Sequence, residues 1–371
     1  MNLFEKGMKS NVPIKDIQVS VFTVPTDAPE ADGTFAWNKT TMVLVEIAAG
    51  DQTGVGYTYG DEAVAALIQK SFAKLLENKD ALAIGEIWSA MLWNIRNLGR
   101  PGVASMAISA VDSALWDLKA KLLGLPLVVL LGKCRDRVPI YGSGGFTSYS
   151  IKQLQSQLGG WASDGIRMVK MKIGTHPEQD VDRVRAAREA IGPDVQLFVD
   201  ANGAYSRKQA LKMSERFAEF DVRWFEEPVS SDDLEGLRLI RDRAPVCMEI
   251  AAGEYGYDQY YFQSMLAAGA VDVLQADATR CEGITGFLRA STLAQSAHIP
   301  FSAHTSPSIH CHPCCALTEV RHIEYFHDHA RIEQVFFDGA ARPKDGYLIP
   351  DLSRPGMGLE LKRKDAQRFA A

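Results

Sequence analysis

The sequence predicts an α/β protein whose larger part closes into an eight-stranded parallel barrel behind a smaller α+β unit. Three observations predict it. Short apolar strands alternate with amphipathic stretches from Val138 to Tyr325, the polar residues that close successive strands recur at near-constant spacing, and the residues before Lys133 lack that rhythm.

The eight strands are read at 138–141, 165–172, 195–200, 222–226, 246–251, 271–276, 299–303 and 322–325. Their closing residues fall at 172, 200, 226, 254, 277 and 304, gaps of 28, 26, 28, 23 and 27, which suits successive βα units. Between them, 177–191, 206–220 and 283–297 carry helical periodicity, with Pro177, Ser206 and Gly283 as start signals. Functional groups of such a TIM-like barrel belong at the carboxyl ends of its strands.

Before the barrel, strand-like patterns at 14–24 and 41–47 precede helical stretches at 63–76 and 106–123, an α+β pattern. The segment 23–37, with Pro25, Pro29 and Gly33, reads as a long loop and a candidate lid. The chain is divided near Lys133, and the Pro/Gly-punctuated end around 346–355 is expected to return to the first unit.

Composition narrows the function. Of 371 residues, 46% are apolar and 23% charged, so a compact folded chain is expected rather than disorder. The net charge of −6 comes without a basic block, which argues against nucleic-acid binding. No apolar run reaches membrane-spanning length, and residues 1–15 lack the basic-then-apolar order of a secretion leader, so a cytoplasmic protein is expected. Six cysteines are then read as free thiols. The segment 310–315, His-Cys-His-Pro-Cys-Cys, resembles a zinc site in composition but has no second paired cluster, and a packed loop is the favoured reading.

The chemistry lies at the strand ends. Period-two alternation puts Lys170 and Lys172 on one face, where mutual repulsion and burial would lower one amine's pKa toward that of a base. Asp200, Glu226 and Glu254 each close a successive strand, and three convergent carboxylates need a hard cation such as Mg²⁺. Glu249 competes with Glu254 for the third position, but it lies inside an apolar strand. Asp277 and His304 close the next two strands and suit a carboxylate-oriented imidazole. Glu324, between Ile323 and Tyr325, is unexpected in a strand unless it faces a site, although a salt bridge to Arg321 or Arg331 would also explain it.

Lys170-x-Lys172, Asp200, Glu226, Glu254, Asp277 with His304, and Glu324, in that order, resemble the enolase superfamily and within it the mandelate racemase-like group. The likeness extends to residues 107–122 and to the closing Pro355-Gly356-Met357-Gly358. It implies a TIM-like modified (β/α)7β barrel over 134–339, an N-terminal α+β capping domain over 1–133 with 340–371 packing back on it, and a homo-oligomer. It also implies Mg²⁺ on Asp200, Glu226 and Glu254, Lys172 as the base on one face with Lys170 beside it, His304 with Asp277 on the other, and Glu324 near the substrate carboxylate. The expected reaction is dehydration of a sugar acid to a 2-keto-3-deoxy acid, with racemisation or epimerisation of a hydroxy acid or other carboxylate as the alternative. Trp37, Tyr57, Ser143 and Asn202 are the expected substrate contacts. Asp27, Glu30, Asp32 and Tyr59 would line the distal end, where acids disfavour a second carboxylate.

Overall fold

The structure is a computed structural model describing residues 11–371, so the leader reading over 1–15 and the start of the capping unit lie partly outside the described residues. Its first sheet is antiparallel, β1 (Ile14–Ala31), β2 (Ala36–Ala49) and β3 (Gln52–Tyr59), paired in that order. The buried face carries Val43, Val45 and Ile47 against Ile108, Val111 and Leu115 of the helix Val103–Leu122. That helix sits almost on the β3 backbone. A Cβ at Gly54 or Gly56 would lie 2.2 Å from the carbonyl oxygen of Ala114 or Ala110, so only glycine admits this approach.

The segment 23–37 is not a loop. β1 and β2 stay paired as far as Glu30 with Trp37 and Ala31 with Ala36, and only 32–35 turn. Pro25 and Pro29 misled the reading because proline is tolerated on an edge strand, and β1 is the edge of this sheet. A bulge between Pro25 and Glu30 absorbs the irregularity. The hairpin tip is fastened to the barrel: Thr147 Oγ1 and Thr175 Oγ1 both donate to Asp32 O, and Ser148 Oγ donates to Pro29 O.

The barrel strands are β4 (Val138–Gly144), β5 (Met168–Lys172), β6 (Gln196–Asp200), β7 (Val222–Glu226), β8 (Glu249–Ala252), β9 (Val273–Ala276), β10 (Phe301–Ala303) and β11 (Ile323–Phe326). All neighbours are parallel and β11 closes on β4. Helices fill the crossovers, and Pro177 and Ser206 start two of them, Ser206 through a capping box with Gln209. Inside, Tyr141, Phe198, Trp224, Ala251 and Val273 form a packed floor.

The last strand runs directly into the helix His327–Phe336, through which the capping sheet is held. Tyr57 Oη donates to Glu333 at 2.6 Å, Tyr59 stacks on His329 with ring centroids 3.5 Å apart, and Phe22 meets Phe336 edge-on. Beyond it, Tyr347–Leu348 pairs antiparallel with β4, Met357 N donates to Asp117, and Ala370 bridges to Phe22 of β1. The tail therefore touches both parts.

The segment 310–315 lies in a helix, Pro307–Ala316, and not in a loop. Burial of every residue from Pro307 to Cys315 outweighs the one ladder bond that Pro313 removes. His310 accepts from Ala278 N and bonds Thr305 O, and His312 accepts from Val128 N, so these rings serve backbone groups. The six cysteines are free. Among the described residues no helix is long and apolar enough to cross a membrane.

Candidate active site

Period-two geometry delivers the charged residues to the barrel mouth. Lys172 pairs in register with Asp200, and Asp200 with Glu226, on adjacent parallel strands. Glu254 follows β8 after Gly253, whose φ of 140° and near contact with Gln275 O at 1.9 Å for any Cβ demand glycine. That turn folds Glu254 inward. Ligand oxygens of Asp200, Glu226 and Glu254 all lie within 4.8 Å of one another, and all three residues are buried. Glu249 is elsewhere, paired to Arg321 at 2.5 Å.

Lys170 Nζ bonds Glu226 at 2.6 Å and Glu324 at 2.8 Å, and Lys172 Nζ bonds Asp200 at 2.5 Å. This corrects the expectation of a depressed amine. Burial does push both lysines down, but the carboxylates around them outweigh it and hold both above the usual ammonium range. Glu226 is pushed up to about 8 by burial and by Asp200.

His304 Nδ1 meets Asp277 Oδ2 at 2.9 Å, while Nε2 faces Glu254 at 3.3 Å and Glu324 at 3.5 Å. Burial alone would discharge the ring. Glu254, Glu324 and Asp277 reverse that and raise it to about 10. Glu324 also accepts from Thr305 N at 3.1 Å, and it contacts neither Arg321 nor Arg331.

The carboxylate cluster fits a hard divalent cation. Its donors are all oxygen, three carboxylates converge in a buried position, and Glu254 Oε2 is buried without a hydrogen-bond partner.

Over the cluster lies a cavity of about 550 Å³. Lys172, Asn202, Glu254, Arg280, His304, Glu324, Phe326 and His329 line it from the barrel side, and Trp37, Lys39 and Tyr59 from the capping sheet. Of the expected substrate contacts, Asn202 and Trp37 line it, and Asp32 and Tyr59 do as well. Tyr57 does not: its hydroxyl is committed to Glu333 and its ring stacks on Phe337. Ser143 also stays outside, fully buried on β4 beside Lys170. Asp27 and Glu30 do not face the cavity lining, since Asp27 pairs with His327 and Glu30 holds Trp37 Nε1 at 2.8 Å.

Sequence reasoning missed Arg280, which lines the cavity and donates to Glu254, and Glu227, buried next to the cluster with its carboxyl pushed up by burial and by Glu254. Arg280 stands three residues past a strand-closing acid, which was the available signal. Glu227 was hidden by its twin Glu226.

Fold and site together define the enolase-type class, a capped parallel barrel with a carboxylate cluster between lysines and a histidine. Two family models agree: residues 16–132 match the mandelate racemase / muconate lactonizing enzyme N-terminal domain, and residues 153–366 the enolase C-terminal domain-like family. The chain belongs to the mandelate racemase/muconate lactonizing enzyme family of the enolase superfamily. It is 33% identical over 366 residues to a 3,6-anhydro-alpha-L-galactonate cycloisomerase of Streptomyces coelicolor, covering 96% of this chain and 99% of that one. Against the L-talarate/galactarate dehydratase of Salmonella typhimurium it is 31% identical over 364 residues, covering 95% of this chain and 89% of the other. That dehydratase, solved with Mg and L-lyxarohydroxamate, superposes with a TM-score of 0.90 at 29% identity, over 99% and 95% of the two chains. A mandelate racemase/muconate lactonizing enzyme-like protein from Rubrobacter xylanophilus superposes at 0.95 with 55% identity, over 97% and 100%.

Proposed function

We propose that the protein is a Mg²⁺-dependent dehydratase of an aldonate- or aldarate-type sugar acid. The observation that carries this reading is the pair of proton-transfer groups around one carboxylate cluster. Lys172 ends β5 and His304 follows β10, three strand steps apart by way of β4 and β11, so the two reach the cavity from different sides.

Magnesium held by Asp200, Glu226 and Glu254 would supply positive charge to the substrate carboxylate and to the charge that develops as the α-proton leaves. Lys172 takes that proton and must first be neutral. Its ammonium is held by Asp200 above all, while burial and Lys170 oppose it, so engagement of Asp200 elsewhere favours the free amine. His304, hydrogen-bonded to Asp277 and facing Glu324, gives its proton to the β-hydroxyl as the carbon–oxygen bond breaks. Water leaves, and the enol tautomerises to a 2-keto-3-deoxy acid. Asn202, whose buried Oδ1 has no hydrogen-bond partner, offers a polyol a hydrogen bond, and Thr34, Thr41 and Tyr59 add polar groups to the lining.

The names of the relatives support a sugar-acid substrate, and they divide between dehydratases and cycloisomerases. Racemisation or epimerisation is the second reading, favoured by the same two-sided placement, with the proton returned from the opposite face. A sugar-acid library assayed with Mg²⁺ for semicarbazide-reactive keto acids tests the first. A keto acid that EDTA abolishes supports dehydration. Deuterium at the α-carbon of recovered acid, with no keto acid formed, replaces it with the second reading.

A further inference from the structure

We propose a second metal site, separate from the barrel mouth, in which Asp27, Glu30 and His327 bind a borderline divalent ion such as Zn²⁺ and clamp the capping hairpin to the barrel. Ligand atoms of the three residues lie within 4.8 Å of one another, with Asp27 Oδ2 and His327 Nε2 2.9 Å apart. The bulge in β1 between Pro25 and Glu30 makes this possible. Residues i and i+3 of a regular strand point to opposite faces, whereas here both acids reach the first turn of the helix that follows β11.

A second, independent observation points to a ligand. Glu30 is 1% exposed; its Oε2 accepts from Trp37 Nε1, and its Oε1 is buried with no hydrogen-bond partner. A buried carboxylate with a free oxygen requires a proton or a cation. The nearby Arg331 bonds Asp328 and Pro25 O rather than this oxygen. Among the described residues no Lys, Arg or His side chain forms a salt bridge with Glu30, although Arg331 lies nearby with its Nε unpartnered.

The donor set decides which ion. The barrel cluster is all oxygen and suits Mg²⁺, while two carboxylates with an imidazole suit Zn²⁺, with remaining positions left to water. The site would also set the roof of the cavity, because Glu30 holds the Trp37 ring that lines it. The proposal does not depend on the reaction catalysed.

The test uses the full chain in excess Mg²⁺, loaded with roughly equimolar Zn²⁺, desalted and measured for zinc by mass spectrometry, with thermal melts in parallel. The wild type and Glu226→Gln should each retain about one zinc per chain and melt higher with zinc than without. His327→Gln and Asp27→Asn change partly exposed side chains and should fold normally, yet retain almost none and lose the shift. Glu30→Gln mimics the protonated acid, so it should keep the zinc-free melting temperature while losing the response. Absence of zinc from the wild type, equal retention in folded variants, or loss confined to Glu226→Gln would overturn the site; the last would place the ion in the barrel mouth instead.

Discussion

The floor and the mouth of the barrel are built on the same strands, yet two buried histidines titrate oppositely in them. His322 precedes β11 and sits among Tyr141, Phe198 and Trp224, where burial lowers it to about 3. His304 follows neighbouring β10 at the other end and is raised to about 10 by Glu254, Glu324 and Asp277. Equal burial thus gives opposite charge states. What differs is the next inward position: Phe198 is followed by Asp200 and Trp224 by Glu226, so one layer is aromatic and the next is ionic. Trp224 Nε1 joins them by donating to Glu226 at 2.9 Å. The mouth carries many charges because most are answered by another, Lys170 by Glu226 and Glu324, Lys172 by Asp200 and His304 by Asp277, above an aromatic floor.

The sharpest way to break that contrast is Glu226→Gln, which removes a carboxylate from the ionic layer. We expect Mg²⁺ affinity, by calorimetry, and turnover each to fall at least about 100-fold, beyond what loss of an outer partner costs. Near-normal values would take Glu226 out of the metal site. Lys172→Ala and His304→Asn should each lower turnover by about 10²- to 10⁴-fold. Lys172→Ala should abolish α-deuterium exchange, whereas His304→Asn should stop keto-acid formation while leaving exchange by Lys172. Exchange surviving in the double variant would mean that neither moves the proton.

Acid should expose the floor. The folded value of His322 lies below its unfolded value near 6.5, so the unfolded chain binds the proton first. Stability is then lost as pH falls from about 6.5 toward 3, by up to about 1.4 kcal/mol per pH unit for each such group. His312 and His329 are lowered in the same sense, to about 4 and about 3, so His322→Gln should make the slope shallower and not remove it. Urea melts from neutral pH down to about pH 4 measure this, and an unchanged slope would mean the floor is not dry. The smallest effect belongs to the cap interface: Tyr57→Phe should cost about 1–2 kcal/mol in urea melts by stranding Glu333 Oε1, with turnover little changed. A large loss of turnover would return Tyr57 to the site.

Much of this was legible in the chain because strand alternation is local. Lys170-x-Lys172 and the spacing of Asp200, Glu226, Glu254, Asp277 and His304 state which side chains share a barrel end before any strand is placed. Tyr57 and Ser143 lie off the cavity lining for the opposite reason. Both occupy plausible strand positions, and only the seating of the cap on helix His327–Phe336, and the depth of Ser143 beside Lys170, exclude them from the cavity. Pro25 and Pro29 concealed the hairpin because proline reports a missing donor and says nothing of whether the strand lies at an edge.

The sequence by itself determined the barrel, its order of strands and the set of carboxylates and bases at its mouth, since each follows from periodicity and from residues that close strands. Only the tertiary structure decided the charge each group carries and which cap residues meet the cavity. One of the two lysines was expected to be depressed and both are instead raised, because their pKa depends on carboxylates 28 to 154 residues away, from Asp200 against Lys172 to Glu324 against Lys170, brought within 2.5 to 2.8 Å. Electrostatic energy depends on distance through space, and in this fold that distance is set by strands far apart in the chain.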